Sequence, residues 1–191
     1  MNDGMRNARL VMNEVVPTAF RSTVEFLPTE FPVMPLSRWN ESVLRYYFCR
    51  FLATANREVE QFVECDHIDL VLKSSWLVAF VEFKFDIKPR RFDPCDGSAR
   101  GFKGGPGAKN RREFQKCINR LHKRRCTTEV SKYVVLVYAD PADGSRPRSR
   151  YSHSYDHYHH PRTDVVRRVK RSGPIDTTEC MVVRAQLYEV G

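Results

Sequence analysis

Apolar positions along this chain fall into runs of period two and of helical period, and together they predict an α/β core between residues 37 and 139. Ile68–Leu72 is short, apolar and β-rich, and Leu77–Phe85 is a second β-branched and aromatic run, so the two read as strands of one hairpin. Val59–Cys65 reads as a strand ahead of them and Tyr133–Tyr138 as a buried strand after them. Trp39, Val43, Tyr46, Tyr47 and Phe51 recur at helical spacing and predict a helix from about Ser37 to Asn56, with Ser37 placed to cap it. Glu41, Leu44, Phe48 and Leu52 form a neighbouring line. That line puts Glu41 at the rim of the buried face near the sheet end, although the helix dipole alone would equally favour a glutamate in the first turn. A second helix, from about Asn110 to Arg125, carries Phe114, Ile118 and Leu121 toward the core and Arg112, Lys116, Arg120 and Lys123 on its opposite face.

Outside this core the pattern weakens. Residues 1–36 contain Pro17, Pro28, Pro32 and Pro35 without a clear period, and read as an extended N-terminal arm with a strand around Ser22–Phe26. The stretch 140–162 is rich in Pro, Arg, Ser and His and reads as a surface excursion, Thr163–Arg171 as a short helix and Cys180–Val190 as a final strand. Residues 140–191 are thus expected as a His/Arg-rich loop and C-terminal extension packing on the core. His153, His157, His159 and His160 match no standard zinc spacing and have no cysteine nearby, so an exposed loop is the expectation there.

Period two has a chemical consequence. Opposed residues of an antiparallel pair share a face. A register with Asp69 opposite Glu82 leaves Ser75 and Trp76 at the hairpin tip, and Lys84, two residues beyond Glu82, lies on the same face. Val81, Phe83 and Phe85 then point to the core. Two carboxylates and a lysine on one face form the set that metal-dependent phosphodiester cleavage needs.

Composition sharpens the expected partner. The chain has 191 residues, 41% hydrophobic, which suits one domain with decorations. Its net charge is +9, and the stretch from Lys84 to Arg125 alone holds fourteen Lys or Arg against four acids, a local +10. Such localisation points to a polyanion, with nucleic-acid phosphates first and an anionic membrane surface well behind. Residues 86–109, with five glycines, read as a long basic loop inside the core. Lys88, Arg90, Arg91, Arg100, Lys103 and Lys109 in and beside this loop, with Arg111, Arg112, Lys116 and Arg120 on the helix, are the expected phosphate contacts. Six cysteines without a CxxC pair read as reduced thiols of a cytoplasmic protein, and neither a membrane span nor a signal peptide is indicated.

Asp69 followed by Glu82-Phe83-Lys84, within hydrophobic surroundings and in the order αβββαβ, resembles the PD-(D/E)XK nuclease superfamily over about residues 37–139. Ile68 stands where the literal motif has proline, and Gln115 is followed four residues later by Asn119 where one subgroup has tyrosine. The resemblance implies a restriction-endonuclease-like α/β fold, with a mixed central sheet flanked by helices. It also implies a hydrolase using Mg²⁺ or Mn²⁺, an endonuclease on DNA ahead of RNA. Asp69, Glu82 and the backbone carbonyl of Phe83 would be metal ligands, Lys84 would act on the attacking water and the phosphate, and Glu41 would be the additional acid of the first helix. A homodimer is compatible with this reading. The alternatives are a catalytically inactive nucleic-acid binder on the same fold, and a basic segment that meets an acidic protein.

Overall fold

Alternate residues of the central strands enter two separate hydrophobic clusters, and this decides the layering. A computed structural model describes residues 3–34, 36–56, 58–74, 77–86, 91–92, 95, 99–100, 108–126, 128, 130–141, 165–176 and 181–191. The elements are α1 (Asp3–Glu30), α2 (Glu41–Ala55), β1 (Glu60–Cys65), β2 (Ile68–Lys73), β3 (Val78–Asp86), β4 (Arg91–Phe92), β5 (Ala99–Arg100), α3 (Ala108–Lys123), β6 (Val130–Pro141), β7 (Val166–Arg171), β8 (Ile175–Asp176) and β9 (Met181–Val190). Val81, Phe83 and Phe85 of β3, with Tyr133, Val135 and Val137 of β6, pack with Val16, Phe20 and Leu27 of α1 and Leu44, Phe48 and Leu52 of α2. Phe80 of β3 and Val134, Leu136 and Tyr138 of β6 pack with Phe114, Ile118 and Leu121 of α3. The result is an α/β protein in three layers, with a mixed sheet between helices.

Sheet order is β1-β2-β3-β6-β9-β7, with β8 also paired to β9. Only β3 and β6 run parallel among these pairs, and α3 lies in the crossover that a parallel pair needs. The run α2-β1-β2-β3-α3-β6 is the order expected from the sequence, with boundaries that differ by a few residues. β9 pairs with β6 over nine positions and buries Val183, Ala185 and Leu187, so the last strand is an interior part of the sheet rather than an appendage.

Two expectations are overturned. Residues 1–36 are not an extended arm with a strand at Ser22–Phe26, because α1 is helical through Pro17 and Pro28. Val16, Phe20, Leu27 and Phe31 are all buried, at about 1.5–3 kcal/mol each, which together offsets the roughly 3 kcal/mol cost of each of the two interior prolines. Residues 166–171 are not helical but form the edge strand β7, with a register shift between Arg168 and Lys170. Pairing with β9 there prevails over a spacing of valines that suits either state. A smaller correction concerns the cap of α2. Leu36–Arg38 is a 3₁₀ turn, and Asn40 is the N-cap, its side chain accepting from the Val43 N–H at 3.0 Å. Trp39 is buried just before it, donating from Nε1 to the Met34 carbonyl at 3.1 Å and stacking on Tyr47.

The expected loop 86–109 contains the short ribbon β4–β5, which sets Arg91 opposite Arg100. His153 to His160 lie outside the described residues. No helix among the described residues is long and apolar enough to cross a membrane.

Between β1 and β2, Asp66 and His67 form a two-residue turn closed by the Cys65–Ile68 pair, with φ of 50° and 63°. A turn with positive φ at both positions favours glycine at the second. His67→Gly is therefore expected to raise unfolding stability by about 0.5 kcal/mol. Relief of about 1–2 kcal/mol of left-handed strain is partly offset by the added freedom of the unfolded chain. Urea titration checks this, and a loss of stability would show that the imidazole makes a contact worth more than the strain.

Candidate active site

The ladder between β2 and β3 runs from Lys73 opposite Val78 to Leu70 opposite Val81 and stops there. One further step places Asp69 opposite Glu82. Beyond it, β3 continues alone along β6 as far as Asp86 opposite Tyr138, so its other edge opens. Asp69 fills the start of this opening with its side chain, and Oδ2 accepts from the Phe83 backbone N–H at 2.8 Å. The N–H and C=O of one strand residue point to the same edge. The Phe83 carbonyl therefore faces the same gap.

Glu82 is completely buried on the α3 face of the sheet. Its Oε1 accepts from the guanidinium of Arg120 on α3, while the buried Oε2, as an ionised oxygen, has no hydrogen-bond donor among the described residues. Burial pushes the Glu82 carboxyl up to about 7; the Asp69 charge, and a hydrogen bond to Asp69 that only the protonated carboxyl can donate, add to the shift, and Arg120 opposes it. Lys84 reaches around the open edge to α2, where Nζ donates to Glu41 Oε1 at 3.2 Å. Burial alone would lower the pKa of Lys84, but Glu41, Cys117 and Asp69 outweigh it and the net shift is upward. Lys84 is thus an ammonium at neutral pH. It can donate to a water or a phosphate oxygen but cannot act as a base in this state.

Asp69, Glu82, Lys84 and Glu41 are therefore brought together by β2, β3 and the first turn of α2. Two arginines join them. Arg45, buried one turn after Glu41, donates to Glu64 at 2.6 Å and lies 3.7 Å from Asp69 Oδ1. Its signal in the sequence was a charged residue beside Leu44 and Phe48 on the buried line. Arg120, read from the sequence as a phosphate contact on the outer face of α3, instead reaches inward to Glu82, with half of its side chain still exposed. Cys117 is a third neighbour that the sequence reading missed. It lies on the Phe114–Leu121 stripe, and burial first, then the charge of Glu82, pushes its thiol up to about 12, so it remains protonated.

Arg112 and Lys116 are exposed on α3, on the face that the helical spacing assigns them. Lys109 and Arg111 are on the same helix, and Arg91 and Arg100 on β4 and β5. Lys88, Arg90 and Lys103 lie outside the described residues.

Among the described residues no three His, Cys, Asp or Glu side chains are arranged to hold a metal ion. Mg²⁺ needs fewer, since it is commonly held by one or two carboxylates and keeps several waters. The buried Glu82 Oε2, the Asp69 carboxylate beside it and the edge-facing Phe83 carbonyl fit that demand, because all are hard oxygen donors at one gap. Protein-family models, curated proteins and solved structures were compared with this chain, and none matches.

Proposed function

We propose that this protein is a divalent-metal-dependent endonuclease with a restriction-endonuclease-like fold, cutting phosphodiester bonds of nucleic acid, DNA ahead of RNA. The observation that carries the reading is the opening of the β2–β3 ladder at Asp69, which gathers two carboxylates, a strand carbonyl and an ammonium where backbone pairing ends. A bound Mg²⁺ or Mn²⁺ would supply Lewis-acid activation of the phosphate and of a water. Asp69, Glu82 and the Phe83 carbonyl would hold the ion. Lys84 orients the attacking water and offsets charge that builds on the phosphate. Glu41 fixes the Lys84 ammonium through their hydrogen bond.

Supercoiled plasmid incubated with the purified protein in Mg²⁺, Mn²⁺ or EDTA tests this directly. Nicked or linear product with either metal and none in EDTA is expected. Retardation of the plasmid without cleavage in any condition would favour a non-catalytic nucleic-acid binder. That alternative draws support from Arg45 and Arg120, whose positive charges lie against the two carboxylates.

The exposed row Arg112 and Lys116 is expected to meet the phosphate backbone. Changing both to alanine should weaken duplex binding across all sequences. It should also make the dependence of log affinity on log salt shallower by roughly 0.9 for each phosphate no longer neutralised. An unchanged slope in titrations of a labelled duplex would remove this row from the interface.

A further inference from the structure

Arg120 departs from the outer face of α3, yet its guanidinium ends on a carboxylate that solvent does not reach. Around the gap, Asp69, Glu82 and Glu41 lie against Arg45, Lys84 and Arg120, and the Arg120 pairing takes Oε1 of Glu82 while Oε2 has no hydrogen-bond donor among the described residues. A divalent ion on Glu82 and a guanidinium on the same carboxylate would place like charges within a few ångströms, where water screens them poorly. The repulsion is relieved if one of the two can leave. Arg120 is able to, because its side chain is 50% exposed and its stem is long. Arg112, Lys116 and Arg120 are spaced i, i+4, i+8, so a released Arg120 would join the exposed row on α3.

Resting on the metal-dependent reading above, we propose that Arg120 is a positioning residue that stands in for the divalent ion. Its guanidinium holds Glu82 in place before the metal loads, and loading sends it to the phosphate-facing row of α3. Metal uptake and the grip on the substrate backbone are thereby coupled through one side chain.

Calorimetric titration of Mn²⁺ into the intact protein without nucleic acid, at constant pH and ionic strength, tests the coupling. Arg120→Gln should bind Mn²⁺ on the order of ten-fold more tightly than wild type, because a competing cation is gone, while Arg120→Lys should stay near wild type. Metal-free Arg120→Gln should also melt below wild type, with the difference closing at saturating Mn²⁺. Equal or weaker Mn²⁺ binding by Arg120→Gln would overturn the proposal and leave the metal site standing. Absence of Mn²⁺ uptake by wild type and by Arg120→Gln alike would instead sink the metal-dependent reading itself. A measurement on wild type needs no variant to fold: the ¹⁵N-labelled Arg120 guanidinium signal should move toward that of an exposed arginine on adding Mg²⁺. A signal that stays in place while Mg²⁺ binds overturns the coupling.

Discussion

Asp69→Ala and Glu82→Ala are each expected to lower plasmid cleavage by about 10³-fold or more, the loss of several kcal/mol of transition-state stabilisation that a held divalent ion provides. Duplex binding in EDTA should survive both changes, since each removes an acid and leaves every basic residue in place. Lys84→Ala should lose activity while retaining Mn²⁺ binding, because Lys84 contacts Glu41 rather than the gap's oxygen donors. Glu41→Ala should fall between wild type and Lys84→Ala, since it releases the ammonium without removing it. The residues act as a unit, so Asp69→Ala combined with Glu82→Ala should be little worse than either alone. Mn²⁺ calorimetry run beside plasmid cleavage on the same preparations reads all of these. Cleavage that persists in both single variants would remove these carboxylates from the chemistry.

The second large effect concerns stability. The Glu82 carboxyl titrates at about 7 in the folded protein against 4.5 ordinarily, so the folded state holds this proton more tightly than the unfolded one. The contribution of this group to stability is therefore complete below pH 4.5 and lost as pH rises through about 7. Glu82→Gln cannot ionise and escapes that loss. In EDTA, the stability of Glu82→Gln relative to wild type should be greater at pH 8 than at pH 4.5 by about 1–3 kcal/mol. Saturating Mn²⁺ should stabilise wild type and not the variant. Mn²⁺ affinity of wild type should fall about tenfold for each pH unit below 7, as protons compete for the ligand. Urea titrations at the two pH values decide the matter. A wild type and variant that track each other across the range would show that Glu82 is charged in the fold at all pH values tested.

The hairpin was legible because branched and aromatic side chains at every second position leave one register that buries Leu70, Leu72, Val81 and Phe83 together. Once that register is set, the acids have no freedom in which face they occupy. α3 was legible for the same reason, with Phe114, Ile118 and Leu121 separated cleanly from its basic row. α1 was hidden because proline chemistry is local, whereas the seam Val16, Phe20, Leu27, Phe31 gains its stability only against α2 and the sheet. β7 was hidden because an edge strand is chosen by its neighbour β9. Within the site, Arg120 was misplaced since its Cα lies on the outer face while its guanidinium spans the distance to Glu82, and helical phase says nothing about where a long side chain ends.

Because core residues and the residues of the proposed site alternate along the same two strands, that site is protected from gradual drift. A single-residue deletion within Leu77–Val81 would turn Val81 and Phe83 out of the core in the same step that parts Asp69 from Glu82. Such a chain would be lost as unfolded before it could persist as a folded one without the acid pair. An insertion at the hairpin tip, beyond the Ser74 N–H to Leu77 carbonyl bond of 2.9 Å, changes neither parity nor pairing. Length variation in descendants of this chain should therefore gather at that tip and be rare on its flanks, a pattern that deep insertion–deletion scanning under selection for folding alone would reveal.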